Sequence, residues 1–329
     1  MKEDQDVHSF DHAALRLGNG RSIQMALPKD STDPVVNAYK SGQALNEYLI
    51  DLLVRFTRPG DFVLDLGCHV GTLSVPAACL GRNVVAVDAS RLHAAAVHAT
   101  ATMNELGNLS VECCAVGAAD GEVTFDENGL WGMVVLDDAV SANTSRVRVR
   151  RADAILASAG WSRVDMVKMD VEGSELAAIE SLGKYLGGDN APVIIYESNG
   201  MTFEVFGYSI QTMREKLELL GYRTYRVEGS RLVYCPPDEL QPEAWLDLVA
   251  LPAKIRHKCE NEIDTVWAQE AVVRRCIEWG SNEHRNVRQY LHAAMFSFAK
   301  YPRFDPRIVE LRAALLEEFG ETGTGQDVK

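Results

Sequence analysis

Long apolar runs are missing from this 329-residue chain. No stretch approaches the roughly 18 apolar residues a membrane-spanning helix needs, so no membrane partner is expected. The opening residues, MKEDQDVHSF, are acidic and polar and hold no apolar h-region, so no secretory leader is expected either. Positive charge is scarce: 33 Lys and Arg stand against 47 Asp and Glu, for a net charge of −14. That balance repels phosphate backbones and argues against a nucleic-acid partner. The 7 cysteines include no Cys-x-x-Cys pair and their number is odd, which excludes a disulfide framework and a zinc ribbon. Reduced thiols and a cytoplasmic protein are the expectation. Neither a Gly-x-Gly-x-x-Gly fingerprint nor the Gly-Lys-Ser/Thr end of a P-loop occurs.

What is present is a core-forming composition, 47% apolar, with a regular alternation of patterns. Residues 1–60 read as an N-terminal cap, a short hairpin or irregular, followed by a helix with apolar spacing from Val36 to Phe56. Residues 61–239 alternate strands with helices. The strands are Asp61–Leu66, Asn83–Asp88, Leu109–Val116, Val164–Asp170 and Pro192–Glu197. The helices are Gly71–Leu80, Arg91–Leu106, Ala152–Ala159, Ser174–Tyr185 and Ser209–Leu220. Pro76 is expected to kink the first of these. Glu122–Phe125 and Arg146–Arg150 read as an inserted hairpin around a loop at Phe125–Thr144. Tyr222–Val227 and Arg231–Tyr234 are too close for a crossover and must pair antiparallel. Cys113-Cys114 reads as core, and His93 and His98 as surface or packing residues of an alanine-rich helix. Residues 240–329 read as a helical extension, with helices at Pro242–Leu251, Ala253–Trp279, Glu283–Tyr301 and Pro306–Phe319. The fold class that follows is α/β, a doubly wound, mostly parallel sheet with helices on both faces.

In such a sheet, ligands bind beyond the carboxyl ends of the strands. Those ends carry Asp65-Leu66-Gly67-Cys68-His69-Val70-Gly71, Asp88, Ala115–Gly117, Asp170-Val171-Glu172-Gly173 and Glu197-Ser198-Asn199. Acid after acid along one edge is hard to explain as packing. Gly67 and Gly71 allow a tight turn, while His69 occupies the place where a dinucleotide site needs its second glycine. Asp88 follows Gly67 by 21 residues, the spacing of an acid that holds both ribose hydroxyls. A nucleoside without a pyrophosphate is indicated, and S-adenosylmethionine meets that description. Against this stands the plainer reading of a glycine-punctuated strand-helix turn.

VLDLGCHVG, VVAVDAS, CAVGAADGEVTF, VDMVKMDVEGSELAAIESL and VIIYES together resemble the FkbM family of class I, S-adenosylmethionine-dependent methyltransferases, over roughly residues 45–235. The resemblance implies a Rossmann-like, seven-stranded sheet with an antiparallel last strand. It implies that Asp65, Gly67, His69 and Gly71 line the methionine part of the cofactor, that Asp88 holds the ribose, and that Ala115 and Val116 flank the adenine. Asp170 would sit beside the reactive methyl, and Glu47 would cover the cofactor. Cys68 and His69 stand where Ala-Asn is common, Thr72 where an aromatic is frequent, and Asp88-Ala89 in place of Glu-Pro. Cys68, Thr72 and Ala89 are therefore counted with the cofactor-binding residues.

A sulfonium methyl is already electrophilic, so proximity and alignment dominate catalysis. An alcohol acceptor also needs a base. Asp170, Glu197 and Glu172 are the candidates, although Glu172 and Glu175 also open a helix, where acids complement the dipole. Lys168 reads as an ion-pair partner. A divalent metal remains an alternative, but no clean ligand set is visible, so none is expected. The expected reaction is O-methylation of a small molecule, a glycosyl unit or secondary metabolite. The alternatives are carboxyl or nitrogen methylation, and a non-catalytic adenosyl-binding protein. Aromatics in the extension would form a small core, an acceptor wall or a homodimer contact.

Overall fold

The computed structural model describes residues 9–16, 22–43, 47–127, 132–135, 144–228, 231–235 and 245–259. The chain divides into two units, Met1–Ile263 and Asp264–Lys329, and every described residue lies in the first. The three helices expected beyond Leu251 therefore lie outside the described residues, except for the first turns of one.

The chain begins with β1 (Phe10–Arg16), β2 (Ser22–Pro28), α1 (Pro34–Lys40) and α2 (Glu47–Phe56). Then come β3 (Phe62–Leu66), α3 (Ser74–Cys79), β4 (Asn83–Asp88), α4 (Arg91–Met103) and β5 (Leu109–Cys113). A second small sheet is built from β6 (Ala115–Val116), β7 (Gly121–Asp126), β8 (Met133–Val135) and β9 (Thr144–Arg150). The main sheet resumes after α5 (Ala152–Ser158) with β10 (Met166–Met169), α6 (Glu175–Leu182), β11 (Val193–Asn199), α7 (Gly200–Val205) and α8 (Ile210–Leu219). It closes with β12 (Tyr222–Glu228), β13 (Arg231–Tyr234) and β14 (Trp245–Pro252), before α9 (Ala253–Cys259).

Among the described residues the main sheet has eight strands, one more than the seven expected, in the order β13-β12-β14-β11-β10-β3-β4-β5. The five from β5 to β11 are parallel. Alternate residues of each strand feed opposite layers, as a pleat buried on both faces requires. Val63, Met166, Ile195 and Val249 pack with Leu52 and Leu53 of α2, Val75 of α3 and Val97 of α4. Leu64, Val167, Ile194 and Leu248 pack with Ile155 of α5, Ile179 of α6 and Met213 of α8. The β1–β2 hairpin covers α4: the Ala26 amide donates to Thr100 Oγ1 at 2.9 Å and the Gln24 amide to Asn104 Oδ1 at 3.0 Å. The inserted hairpin is present, with Glu122 opposite Arg148. Its tip, including Gly129 to Trp131, lies outside the described residues. The antiparallel pairing of β12 with β13 is as expected.

Four expectations are corrected. Residues 242–251 are not a helix: Trp245–Pro252 is a strand, antiparallel to both β11 and β12. WLDLVALP is a short apolar run whose periodicity suits either a buried helix or a buried strand. Two neighbouring strands with open edges decide it, and Leu248, Val249, Ala250 and Leu251 become fully buried. The sheet thus extends past the expected domain edge at 239, and the antiparallel strand beside β11 is β14. Secondly, the single helix over Val36–Phe56 is two helices, α1 and α2. Thirdly, the strand expected over Leu109–Val116 breaks after Cys113, because Ala115 and Val116 pair with Val149 and Arg150 of β9 instead. Cys113 is exposed there and only Cys114 is core. Finally, the helix expected from Gly71 begins only at Ser74: the Val75 amide reaches Gly71 O at 3.0 Å and the Ala77 amide Leu73 O at 2.9 Å, but Pro76 between them has no amide to donate, so the regular ladder starts after that gap.

Candidate active site

The site is built on the turn between β3 and α3. The amides of Gly67 and Cys68 both donate to Val87 O at 2.9 Å, which pins the turn to β4. Gly67 has φ +75, and a Cβ there would sit 1.7 Å from the backbone oxygen of Asp170. Only glycine lets the β3 and β10 tips approach so closely. Gly71, at φ +86, is similarly required, since a Cβ would lie 2.7 Å from Val75 Cγ2. His69 is also left-handed, at φ +51, a strain of roughly 1–2 kcal/mol for a residue with a Cβ. Its amide is thereby aimed at Asp88 Oδ2, 2.7 Å away.

Asp65 lies beneath this turn, fully enclosed. Its Oδ2 accepts from Ser74 Oγ at 2.5 Å, while Oδ1 has no hydrogen-bond donor and faces Lys168 Nζ at 3.8 Å. Loss of hydration pushes its carboxyl up despite Lys168 and Ser74. Cys68 and Thr72 are buried too, and the Cys68 thiol lies 3.6 Å from His69 O. Lys168 donates to Gly67 O at 2.7 Å and to Asp170 Oδ2 at 3.1 Å. Burial opposes its ammonium, but Asp170 and Asp65 outweigh that and keep it charged. Lys168 is the ion-pair partner the sequence suggested.

Asp88 closes β4. Its Oδ1 accepts from the Ser90 amide at 2.9 Å and lies 3.5 Å from His93 Nδ1. Burial alone would raise its carboxyl; the hydrogen bond and charge of His93 hold it below the usual carboxylate range. His93 responds in kind: burial disfavours its charge, and Asp88 raises it above an ordinary histidine. The His93 ring meets the His69 ring edge-on at 4.3 Å, and His69 Nε2 lies 2.7 Å from Asp33 Oδ2. Asp33 also caps α1, accepting from the Val35 amide at 2.7 Å. Burial would raise Asp33, but His69 and the capping amides bring it down. Ala89 packs with Ala115 beyond the β4 tip, and Val116 is buried next to it in the chain.

The β10 tip carries the acids. The Asp170 amide donates to Leu66 O at 3.0 Å. Glu172, half-buried at φ +48, is pushed up to about 8 by burial and by Asp170 and Glu175. Glu175 is fully buried and is pushed up to about 7 by lost hydration. It accepts from the Val171 amide at 2.9 Å and the Gly173 amide at 3.0 Å, so it braces the loop that bears Asp170. Glu197, half-buried at the end of β11, completes the group: Asp170, Glu172 and Glu197 each offer an oxygen within 4.8 Å of the others. Such a group can share a proton or hold a divalent cation. Asp33, His69 and His93 form a second set within the same limit. Glu47 opens α2, and its side chain lies outside the described residues.

The profile of the methyltransferase FkbM domain matches residues 65–224, from Asp65 through the β3 turn and the acids of β10 and β11 to β12. The chain carries an FkbM methyltransferase domain. It is an S-adenosylmethionine-dependent methyltransferase of class I, Rossmann-like fold. No curated protein matches the chain. Among solved structures it is similar to a precorrin-6y C5,15-methyltransferase from Geobacter metallireducens at 12% identity, covering 70% of this chain and 93% of that one with a TM-score of 0.39. An O-methyltransferase from Bacillus cereus in complex with S-adenosylhomocysteine is 16% identical, with 68% and 83% coverage and a TM-score of 0.36. A 16S rRNA N2 G1207 methyltransferase from T. thermophilus is 17% identical, with 76% and 53% coverage and a TM-score of 0.39.

Four residues of this methyltransferase site escaped the sequence reading. Asp33 and His93 join His69 and Asp88. Their only signals were an Asp-Pro helix start and a histidine five residues after Asp88. Tyr48 of α2 donates its phenol hydrogen to Asp247 Oδ2, and Asp247 lies opposite Glu197 in the β11–β14 register. Asp247 lies in an apolar run whose pattern suits a helix as well as a strand, so nothing local places it at a strand tip.

Proposed function

We propose that this methyltransferase transfers the methyl group of S-adenosylmethionine to a hydroxyl of a small molecule, such as a glycosyl unit or secondary metabolite, with a strand-tip carboxylate as base. The observation that carries the reading is the group Asp170, Glu172 and Glu197 gathered beside the Gly67 turn. When bound, the cofactor supplies an electrophilic methyl on a cationic sulfur. The chain supplies negative charge beside it and an acceptor for the hydroxyl proton.

The residues fit that cofactor. Asp88 accepts from His69 and Ser90, yet a carboxylate has about four lone-pair positions, which leaves capacity for ribose hydroxyls. In this reading Gly67, Cys68, His69, Gly71 and Thr72 shape the methionine subsite from the backbone, over the buried Asp65. Ala89, Ala115 and Val116 offer an apolar flank to adenine, and Glu47 opens the covering helix. The net charge of −14 supports a small acceptor rather than a nucleic acid. Among the described residues no helix is long and apolar enough to cross a membrane, and the described cysteines are free thiols, in keeping with a cytoplasmic enzyme. A homodimer through the C-terminal residues belongs to the same reading.

Calorimetric titration with S-adenosylhomocysteine tests the site. The wild type is expected to bind, and Asp88→Ala to bind roughly 10–100-fold more weakly, the loss of a charged hydrogen-bond partner. A folded wild type that does not bind would remove the reading.

A further inference from the structure

Three carboxylates, not two, line the tips of adjacent strands. Met169 pairs with Tyr196 and Tyr196 with Leu248, so the next row along these strands brings together Asp170, Glu197 and Asp247. The pleat puts Glu197 and Asp247 on the face that carries Ile195 and Val249, which is the face packed by α2. Tyr48 of α2 reaches this row and hydrogen-bonds Asp247 Oδ2. Like charges directly opposite in an antiparallel pair are destabilising. Packing therefore gives no reason for Asp247 to face Glu197, and a working proton does.

We propose that Asp247, at the start of β14, is the carboxylate that takes the acceptor's proton, and that Tyr48 is the residue that positions it. This rests on the reading of hydroxyl methylation. In the transfer the acceptor oxygen forms its bond to the methyl carbon. The carbon–sulfur bond breaks with its electron pair left on sulfur, and the hydroxyl proton passes to Asp247 as a carboxylic acid. Asp170 is less suited, because its Oδ2 already accepts from the Lys168 ammonium at 3.1 Å. Asp247 is exposed as a residue, and it is the loss of hydration at its carboxyl end, among the neighbouring strand tips, that pushes the group up to about 6. The Tyr48 hydrogen bond works against that rise, as does Lys168, while Asp170 adds to it. The groups around Asp247 are thus Tyr48 on α2, Lys168 and Asp170 on β10, and Glu197 on β11. On β12 this face presents Val227, and Arg226 falls on the other.

Proton release on cofactor binding tests this without an acceptor. Calorimetry near pH 6 in buffers of different ionisation enthalpy would compare S-adenosylmethionine, whose sulfonium is cationic, with neutral S-adenosylhomocysteine. The wild type is expected to release part of a proton with the first ligand and none with the second. Asp247→Asn should remove most of the release at pH 6, leaving only the smaller share of Glu172 and Glu175, while keeping S-adenosylhomocysteine affinity. Tyr48→Phe should keep the release but move its pH midpoint up by about one unit or more, the effect of removing a hydrogen bond to the charged form. Release undiminished in Asp247→Asn, or absent from a wild type that binds both ligands, overturns the proposal. If Asp247→Asn fails to fold, an unmoved midpoint in Tyr48→Phe overturns it and a raised one supports it. A wild type that binds neither ligand brings down the cofactor reading itself, and this proposal with it.

Discussion

Gly67→Ala tests the contact on which the site is built. The substitution adds one methyl at φ +75, which costs alanine roughly 1–2 kcal/mol. The new Cβ would also sit 1.7 Å from the backbone oxygen of Asp170. That oxygen must retreat by more than about 1 Å to reach contact distance, and forcing apart packed segments typically costs about 1–3 kcal/mol. Together the loss is about 2–5 kcal/mol, and the retreat carries the β10 tip and Asp170 with it. Urea unfolding would measure the stability, and titration with S-adenosylhomocysteine the site. Gly187→Ala is the matched control, with φ −108 and nothing within 4 Å of its Cβ, and should change stability by no more than about 0.5 kcal/mol. A Gly67→Ala protein within 1 kcal/mol of the wild type, binding as tightly, would refute the close apposition of the β3 turn and the β10 tip.

Two further outcomes follow from the same geometry. Leu248→Ala should destabilise by about 2–5 kcal/mol, because Leu248 is fully buried in β14; a loss under about 0.5 kcal/mol in denaturant unfolding would return the segment to the surface. His93→Leu should be pH-dependent: His93 is raised above 6.5 in the folded state, so its contribution is fully present below pH 6.5 and fades as pH rises through the folded value. The stability gap between wild type and variant should therefore be widest between about pH 4.5 and 6, where Asp88 is still ionised, and shrink at alkaline pH; a gap constant from pH 5 to 9 would disconnect His93 from Asp88.

Much of this site could be read along the chain because its parts lie at the ends of patterned segments. DFVLDL, NVVAVD and VDMVKMD are short apolar runs closed by an acid, so strand, strand end and candidate ligand came from one signal. The resemblance over VDMVKMDVEGSELAAIESL added the cofactor class. The hairpin from Tyr222 to Tyr234 was legible from loop length alone, since three residues leave no room for a crossover. Where local signals are ambiguous, pattern points to the wrong element. WLDLVALP has no clear period, and the end of Leu109–Val116 fits two different sheets.

The alternation of strand and helix, the glycine turn after Leu66 and the acids at the strand tips are written in local pattern, because each depends on residues within one turn or one strand. The rest depends on the folded chain. Folding inserts β14 between β11 and β12, bringing Asp247 opposite Glu197 and under Tyr48, and it joins Asp33, His69, His93 and Asp88 into one largely buried network. These contacts join segments far apart in the chain. Strand pairing and burial choose such partners by the backbone groups and apolar surface they satisfy, which no local pattern records.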